Sequence, residues 1–257
     1  MVSKIAKWLL NFLPRELLIK LSLKIKPLIG WFFKGTRYKD PINNKTYRTF
    51  LPYGYINPRP NVLSPGTFSL ERHRLLWLYL EQKTTFFNPK NNLNVLHVAP
   101  EQAFYKRFKK QKNLNYTTTD LHSPLADVKA DICELPFSDN TFDFIFCNHV
   151  LEHVIDDTKA MKELFRVLKP NGTGIFQVPQ NLTLDKTFED PSITDPKERE
   201  RLFGQYDHLR VYGKDYFDRL RSVGFKVNEI DYTSRFSQEK INYYRLSKGE
   251  IIPVCTK

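Results

Sequence analysis

Short apolar runs that alternate with helical patterns after Leu93 constrain the fold of this chain more than any other feature. The runs of strand length are residues 95–98, 114–119, 142–148, 174–178, 225–230 and 250–255. The helical patterns are residues 103–112, a segment that begins at 156–157 and stops at 169–172, and residues 214–223. Strands and helices in this alternation are typical of a parallel sheet with right-handed crossovers. The sequence therefore predicts an α/β fold.

The turn after the first predicted strand, residues 97–101, indicates the kind of ligand. In an α/β protein such a turn lies at the carboxyl edge of the sheet, where ligands bind. Asp120 closes the second strand about twenty residues later, at the spacing where an acidic residue binds a ribose. A pyrophosphate needs glycines and backbone N–H groups, but the turn has no glycine and Pro100 removes one donor. This pattern favours a ligand with a ribose and without a phosphate, for which the small Ala99 is sufficient.

Three short strings further along the chain carry a family resemblance. They are Leu-Pro-Phe-Ser-Asp-Asn-Thr-Phe-Asp at 135–143, His-Val-Leu-Glu-His at 149–153 and Val-Leu-Lys-Pro-Asn-Gly at 167–172. With them, residues 94–179 resemble class I S-adenosylmethionine-dependent methyltransferases, specifically the bacterial methyltransferase type 11-like group. The resemblance implies a Rossmann-like, doubly wound, mostly parallel seven-stranded sheet with an N-terminal helical and loop appendage. It also implies methyltransferase activity with S-adenosylmethionine as the cofactor.

The same resemblance implies which residues contact the cofactor. Seven lie in turns at the ends of predicted strands, and Asp131 and Ile132 lie in the loop between the second and third of these strands: His97, Ala99, Glu101, Asp120, Leu121, Asp131, Ile132, Asn148 and His149. The first turn would lie under the methionine part, and Asp120 would accept both ribose hydroxyls. Asp131 and the backbone of Ile132 would bind the adenine amino edge. Asn148 and His149 would line the pocket of the transferred methyl group.

A subgroup of this family is similar over most of residues 40–230. The similarity rests on His-x-Ala-Pro-Glu at 97–101, Ser-Leu-Glu-Arg-His-Arg at 69–74 and a Gly-Gln-x-Asp-His-x-Arg string that begins at 204. In that subgroup the region at 38–69 resembles a zinc ribbon with two Cys-Pro-x-Cys motifs, where this chain has Asp40, Asn43, Ser64 and Thr67. Oxygen ligands of this mix make a poor zinc site. We therefore predict no metal, and a degenerate ribbon held by packing and hydrogen bonds.

Residues for the acceptor side are predicted from chemistry. Methyl transfer from a sulfonium is an in-line displacement helped mainly by positioning, so a base is needed only where the acceptor must lose a proton. His208 is the first candidate, because it follows the long polar insertion at 180–212 where this fold builds its acceptor site. His149 is a second candidate, and Arg210 is available to hold an acidic acceptor. Further candidates are Glu152, His153, His73 and Arg72.

The net charge of +12 is concentrated in a basic amphipathic segment at residues 1–37. The pattern predicts two short helices, with Pro14 in the first turn of the second, although residues 19–26 also fit a strand. No uncharged run approaches the roughly 20 residues that span a bilayer. Two alternatives remain open: a surface anchor that gives peripheral contact with the inner face of the membrane, or a helical lid packed on the protein.

The sequence predicts three parts: the basic segment 1–37, a turn-rich ribbon with a connecting helix at 38–92, and a methyltransferase domain at 93–257. Ser69 is the predicted N-cap of the connecting helix. Three widely spaced cysteines favour a reducing compartment, the cytoplasm. The predicted acceptor is a small molecule, a glycan or a lipid-linked molecule, and no nucleic acid is expected since stacked aromatic side chains are missing. The alternative is a non-catalytic relative that binds a partner through its basic surface.

Overall fold

The computed structural model describes residues 25–54 and 58–257, which form two compact units. Unit 1 contains the described residues up to Thr85 together with Glu101–Arg107 and Tyr232–Glu250. Unit 2 contains Phe86–Pro100, Phe108–Asp231 and Ile251–Lys257. The boundaries predicted from the sequence, at 37 and 92, stay predictions. Two helices are predicted within residues 1–37; residues 1–24 lie outside the described residues, and residues 25–32 are helical.

Unit 1 combines two small antiparallel sheets with short helices. Strand β1 (Lys34–Asp40) pairs with β2 (Lys45–Tyr47), and β3 (Leu51–Tyr53) pairs with β4 (Arg59–Leu63). The helical elements are residues 25–32, Glu71–Lys83, the 3-10 turn Thr233–Arg235 and Gln238–Tyr244. Across the described residues, 25–54 and 58–257, every helix is too short or too polar to cross a membrane.

The loop that resembles a degenerate zinc ribbon is tied together by hydrogen bonds. Asp40 is fully buried, and its Oδ2 accepts hydrogen bonds from the hydroxyls of Ser64 and Thr67, both at 2.5 Å. Asn43 Nδ2 donates to the hydroxyl of Tyr47 at 2.7 Å. Side chains at all four cysteine positions of the subgroup therefore hold the loop through polar contacts, while the predicted lack of a structural metal stays a prediction.

The connecting helix begins later than predicted. Its N-cap is Leu70, not Ser69, and the helix is Glu71–Lys83. The hydroxyl of Ser69 lies 3.3 Å from the buried carboxylate of Asp40 instead. The Leu70 N–H is satisfied by Nδ1 of His73, which accepts it at 2.9 Å. Histidine at the third helical position thus fills the role that glutamate has in a capping box.

A seven-stranded sheet forms the centre of unit 2. Its strands are β5 (Leu93–Val98), β6 (Leu114–Asp120), β7 (Val128–Lys129), β8 (Phe142–Cys147), β9 (Leu168–Ile175), β12 (Lys226–Asp231) and β13 (Ile251–Thr256). Their order in the sheet is β12-β13-β9-β8-β5-β6-β7. Strands β9, β8, β5, β6 and β7 are parallel, and β13 is antiparallel to both its neighbours. A separate pair joins β10 (Phe188–Glu189) to β11 (Arg210–Val211). The Rossmann-like, mostly parallel fold predicted from the sequence is confirmed.

Both faces of this sheet are apolar, as is typical of a buried parallel sheet. On one face Leu96 and Ile145 pack with residues of the helices Asp157–Val167 and Tyr216–Ser222. On the other face the rings of Phe86 and Phe108 lie 5.5 Å and 5.4 Å from the ring of Phe146. Side chains buried on both faces explain why the strands read as continuous apolar runs.

Two element bounds differ from the prediction. Helix formation at 103–112 is limited to Tyr105–Phe108, because lysines and arginine three and four residues apart repel each other on a helix. The strand predicted at 174–178 is Leu168–Ile175 and already contains the tetrapeptide at 169–172. Pro170 disfavours helical geometry at Lys169, so the chain becomes extended directly after Val167.

Candidate functional site

The carboxyl edge of the sheet in unit 2 carries four of the predicted cofactor residues. Asn148, Ala99, Asp120 and Asp131 lie at or just after the ends of β8, β5, β6 and β7, which are neighbours in this order. Neighbouring strands are about 4.8 Å apart, so the four residues are spread over about 15 Å of one edge. The structure thus brings together residues that are far apart in the sequence: Ala99 and Asn148, the first and the last of the four, are 49 positions apart.

Ala99 adopts a backbone conformation that favours glycine. Its φ is +48°, in the left-handed region, where an L-residue pays about 1 kcal/mol relative to the right-handed region. The Ala99 N–H donates to the carbonyl of Thr119 at 2.8 Å, so β5 stays paired with β6 up to the turn. The glycine-free turn therefore keeps a left-handed residue at the centre of the first motif.

Replacing Ala99 with glycine is expected to stabilise the protein by about 0.5–1 kcal/mol, because glycine adopts positive φ without the steric cost of a Cβ. Urea denaturation of the variant and the wild type measures this difference. Ala126→Gly is a control at an ordinary loop position. A variant less stable than the wild type would show that the turn does not adopt this conformation.

Asp120 and Asp131 are oriented by backbone N–H groups of their own turns. Oδ1 of Asp120 accepts hydrogen bonds from the N–H groups of His122 at 2.7 Å and Ser123 at 2.6 Å. Oδ1 of Asp131 accepts the N–H of Cys133 at 2.8 Å. For Asp120, this leaves Oδ2 without a donor among the described residues. The carboxylate is therefore pre-oriented to accept hydroxyl groups from a ligand.

The two predicted hydrophobic neighbours of these acids differ in exposure. Leu121 is 54 % exposed, whereas Ile132 is only 7 % exposed and belongs to the apolar cluster of unit 2. An exposed leucine beside Asp120 can cover the face of a bound ring. The predicted cofactor contacts of both residues stay predictions.

Asn148 and His149 are held by Gln177, which follows β9. Oδ1 of Asn148 accepts the N–H of Gln177 at 3.1 Å. The His149 N–H donates to the carbonyl of Gln177 at 2.7 Å, and His149 has a φ of +54°. These contacts fix the turn after β8 against the end of the next strand. Gln177 was not predicted as a site residue, although a polar side chain within the predicted strand at 174–178 was a usable signal.

His97 and Glu101, from the first predicted turn, make contacts within separate units. His97 is fully buried in unit 2, with Nδ1 at 2.8 Å from the hydroxyl of Tyr116. Glu101 belongs to unit 1, and its Oε1 lies 2.8 Å from Nε2 of His73. Because Nδ1 of His73 accepts the Leu70 N–H, Nε2 carries the proton and lies against the Glu101 carboxylate. These contacts favour structural roles, and cofactor contacts of either residue stay predictions.

His208 is buried and anchored through one ring nitrogen. The residue is 4 % exposed, and its Nδ1 donates to the carbonyl of Phe203 at 3.0 Å. Burial lowers the pKa of His208 below its usual value, so the imidazole is neutral at neutral pH. Nε2 therefore holds the free lone pair.

Arg210 is also buried, and its guanidinium contacts the protein itself. It donates to the carbonyls of Leu151 and Ile155, both at 2.9 Å, and to the carboxylate of Glu189 at 2.8 Å. These donors satisfy carbonyls around the 3-10 turn Leu151–His153. The contacts favour a positioning role for Arg210, and a direct hold on an acidic acceptor stays a prediction.

The sequence of this chain is similar to those of known methyltransferases. Residues 83–176 match the family described as "Methyltransferase domain". Over 129 residues the chain is 51 % identical to the ubiquinone/menaquinone biosynthesis C-methyltransferase UbiE of Cronobacter sakazakii, covering 48 % of this chain and 49 % of that protein. It is 31 % identical over 128 residues to the sterol 24-C-methyltransferase erg6 of Schizosaccharomyces pombe, covering 48 % and 32 % of the two chains.

The chain spans about half or less of the length of the curated relatives that it matches. Among solved structures, it is similar to an S-adenosylmethionine-dependent methyltransferase from Mesorhizobium loti. That similarity has a TM-score of 0.48 at 14 % identity, and it covers 71 % of this chain and 98 % of the other.

Proposed function

We propose that this class I S-adenosylmethionine-dependent methyltransferase transfers the methyl group of its cofactor to a small-molecule acceptor. The observation that carries the proposal is the line of Asn148, Ala99, Asp120 and Asp131 along four adjacent strand ends. It lies in unit 2, and Ala99 to Asn148 fall within the residues that match the methyltransferase family.

The residues at this edge fit a ribose-bearing cofactor. Oδ2 of Asp120 can accept the two ribose hydroxyls, and charge-assisted hydrogen bonds of this kind contribute about 1.5–3 kcal/mol each. The left-handed turn at Ala99 lets the backbone approach the ligand closely. When bound, S-adenosylmethionine supplies an electrophilic methyl group on a sulfonium. Asn148 and His149, fixed by Gln177, would then position the acceptor for an in-line displacement.

The acceptor class is inferred from the relatives. Their names refer to ubiquinone and menaquinone biosynthesis and to sterol methylation, so we infer a hydrophobic small molecule first and a glycan or lipid-linked molecule second. For an acceptor that must lose a proton, the lone pair on Nε2 of His208 supports a role as base when no cation is bound there. The alternative of a non-catalytic protein that binds through a basic surface gains no support from these similarities.

Calorimetric titration with S-adenosylhomocysteine tests the proposed function. We expect one site per chain, with a dissociation constant between about 1 μM and 1 mM, the usual range for enzyme substrates. ATP, which carries a ribose and phosphates, serves as the matched ligand and is expected not to bind. Titration to about 1 mM without heat from S-adenosylhomocysteine would contradict the proposal.

We also propose peripheral contact with an anionic membrane through the N-terminal segment. In the helical residues 25–32, Leu28 is 70 % exposed and Trp31 is 77 % exposed, and they lie three residues apart on one helical face. Exposed apolar side chains close in sequence to the exposed Lys34 fit the headgroup region of a lipid surface, whereas Lys26 of the same helix is buried.

The double substitution Leu28→Ser and Trp31→Ser is expected to weaken vesicle binding roughly 100-fold, because about 3 kcal/mol of apolar burial is lost. Flotation of the full chain with phosphatidylserine-containing liposomes measures the bound fraction. Tyr206→Ser, at an exposed aromatic residue of unit 2, is the matched control. Equal flotation of the double variant and the wild type would exclude this surface as an anchor.

A further inference from the structure

Glu152 is a buried carboxylate with few contacts. Its side chain is 1 % exposed, and neither carboxylate oxygen has a hydrogen-bond partner among the described residues. Nδ1 of His149 lies 3.3 Å from Oε1. A buried carboxylate with so few contacts is costly unless a cation or a proton compensates it. The two buried oxygens therefore suggest an occupant.

Two histidines present imidazoles beside this carboxylate. Nδ1 of His208 donates to the carbonyl of Phe203, so its lone pair is on Nε2, which is buried and without a partner among the described residues. Nδ1 of His153 lies 3.2 Å from the carbonyl of Asp207, which leaves Nε2 of His153 for a ligand. The two rings are 4.8 Å apart between centroids.

We propose that Glu152, His153 and His208 bind a divalent first-row transition cation of the Zn²⁺, Fe²⁺ or Co²⁺ kind. One ligand atom from each of the three side chains lies within 4.8 Å of the other two. Metal–ligand distances of about 2.0–2.2 Å bring ligand atoms to about 3–4 Å from one another, so a small closure completes the site. His153 is exposed and free to make it. Two imidazoles and one carboxylate suit these cations better than Mg²⁺ or Ca²⁺.

The surroundings hold the three ligands in this arrangement. Each imidazole uses its Nδ1–H on a protein oxygen, which is the usual support of a metal-bound histidine. The Leu209 N–H donates to the carbonyl of Glu152 at 2.9 Å, and Arg210 donates to the carbonyl of Leu151. These contacts join the 3-10 turn that carries Glu152 and His153 to the segment that carries His208.

The proposed cation site gives His208 a role that differs from the predicted one. A lone pair that binds a cation cannot accept a proton, so in this proposal His208 is a ligand in place of a base, and the cation site differs from the sequence-based prediction of no metal. Three protein ligands leave coordination positions for water or for an oxygen of a substrate. That use of the open positions rests on the proposed function, whereas binding of the cation does not.

The test uses the full-length, untagged protein, stripped with a chelator and dialysed. Titration calorimetry with ZnCl₂ and with CoCl₂ is followed by thermal denaturation with and without the ion. We expect one ion per chain and a higher unfolding midpoint in its presence. Glu152→Gln and His153→Ala are expected to weaken binding by roughly 10- to 100-fold or more. His122→Ala, at an exposed histidine outside the cluster, is expected to bind the ion like the wild type.

His153→Ala is the decisive variant if Glu152→Gln does not fold, because His153 is exposed. Unchanged affinity in His153→Ala, or less than half an ion per wild-type chain, overturns the proposal. Titration of the metal-free protein with S-adenosylhomocysteine separates the two proposals. A protein that binds this ligand but neither ion contradicts only the cation site, and the reverse result contradicts only the methyltransferase proposal.

Discussion

Replacing Asp120 with alanine is expected to weaken the binding of S-adenosylhomocysteine by roughly 100- to 10,000-fold. The estimate follows from two charge-assisted hydrogen bonds to the ribose at about 1.5–3 kcal/mol each. Calorimetric titration of the variant and the wild type measures it. The protein is expected to stay folded, because Asp120 is partly exposed and its hydrogen bonds are local.

The variant Asp120→Asn separates the effect of a weaker ribose contact from the effect of a disturbed turn. Asparagine keeps an oxygen for the N–H groups of His122 and Ser123 but loses the charge, so we expect a smaller loss, about tenfold or more. Asp190 makes the same kind of turn, with Oδ1 accepting the Ser192 N–H at 2.9 Å, and lies in the polar insertion. Asp190→Ala is therefore the matched control and is expected to bind normally. Normal binding by Asp120→Ala would remove the ribose assignment.

The second large effect is expected on stability, from Arg74→Met in unit 1. Arg74 is fully buried, and it donates to the carbonyls of Ser69 at 2.6 Å and Val62 at 3.1 Å. It also donates to the carbonyls of Tyr244 at 2.7 Å and Arg245 at 2.6 Å. Burial lowers the pKa of Arg74 to about 10, so the side chain is still charged at neutral pH.

Methionine preserves much of the volume of Arg74 but removes the Arg74 donors from these carbonyls, of which that of Ser69 keeps the Ser64 N–H. Each buried acceptor left unsatisfied costs about 1–3 kcal/mol, and we expect a loss of about 3–5 kcal/mol in the free energy of unfolding. Urea denaturation followed by circular dichroism measures it. Arg72→Met, two residues earlier on the same helix and partly exposed, is expected to cost less than about 1 kcal/mol. Equal stability of the two variants would show that the carbonyl contacts do not hold unit 1.

The burial of Arg74 and its partners could not be predicted from the sequence. A cation in the string at 69–74 was recognised as part of a subgroup pattern, but its partners Tyr244 and Arg245 are far away in the chain. Nothing in the local pattern distinguishes Arg74 from the neighbouring Arg72. Burial decides between them, and burial depends on which segments pack around the helix.

In the first turn, residues 97–101, residue type indicated the kind of ligand but not the backbone conformation. The lack of glycine made a pyrophosphate site at residues 97–101 unfavourable, because the chemistry of phosphate binding depends on residue type. The positive φ of Ala99 was not predictable, since alanine disfavours that region. The pairing of Ala99 N–H with the carbonyl of Thr119 is part of the surroundings in which this conformation occurs.

By itself the sequence determined the sheet and the place of the cofactor residues along it. Apolar runs of strand length are local patterns, and in a parallel sheet the ends of neighbouring strands meet at one edge, so Ala99, Asp120 and Asn148 could be placed from their positions in the chain, whereas Asp131 was implied by the family resemblance. Only the tertiary structure decided that Glu152 and His153 lie beside His208. It also decided that Arg210 donates to the Leu151 carbonyl of the 3-10 turn that carries Glu152 and His153. The physical reason is that residues separated by a helix, a strand and a long insertion share no periodicity, and packing alone brings their side chains together.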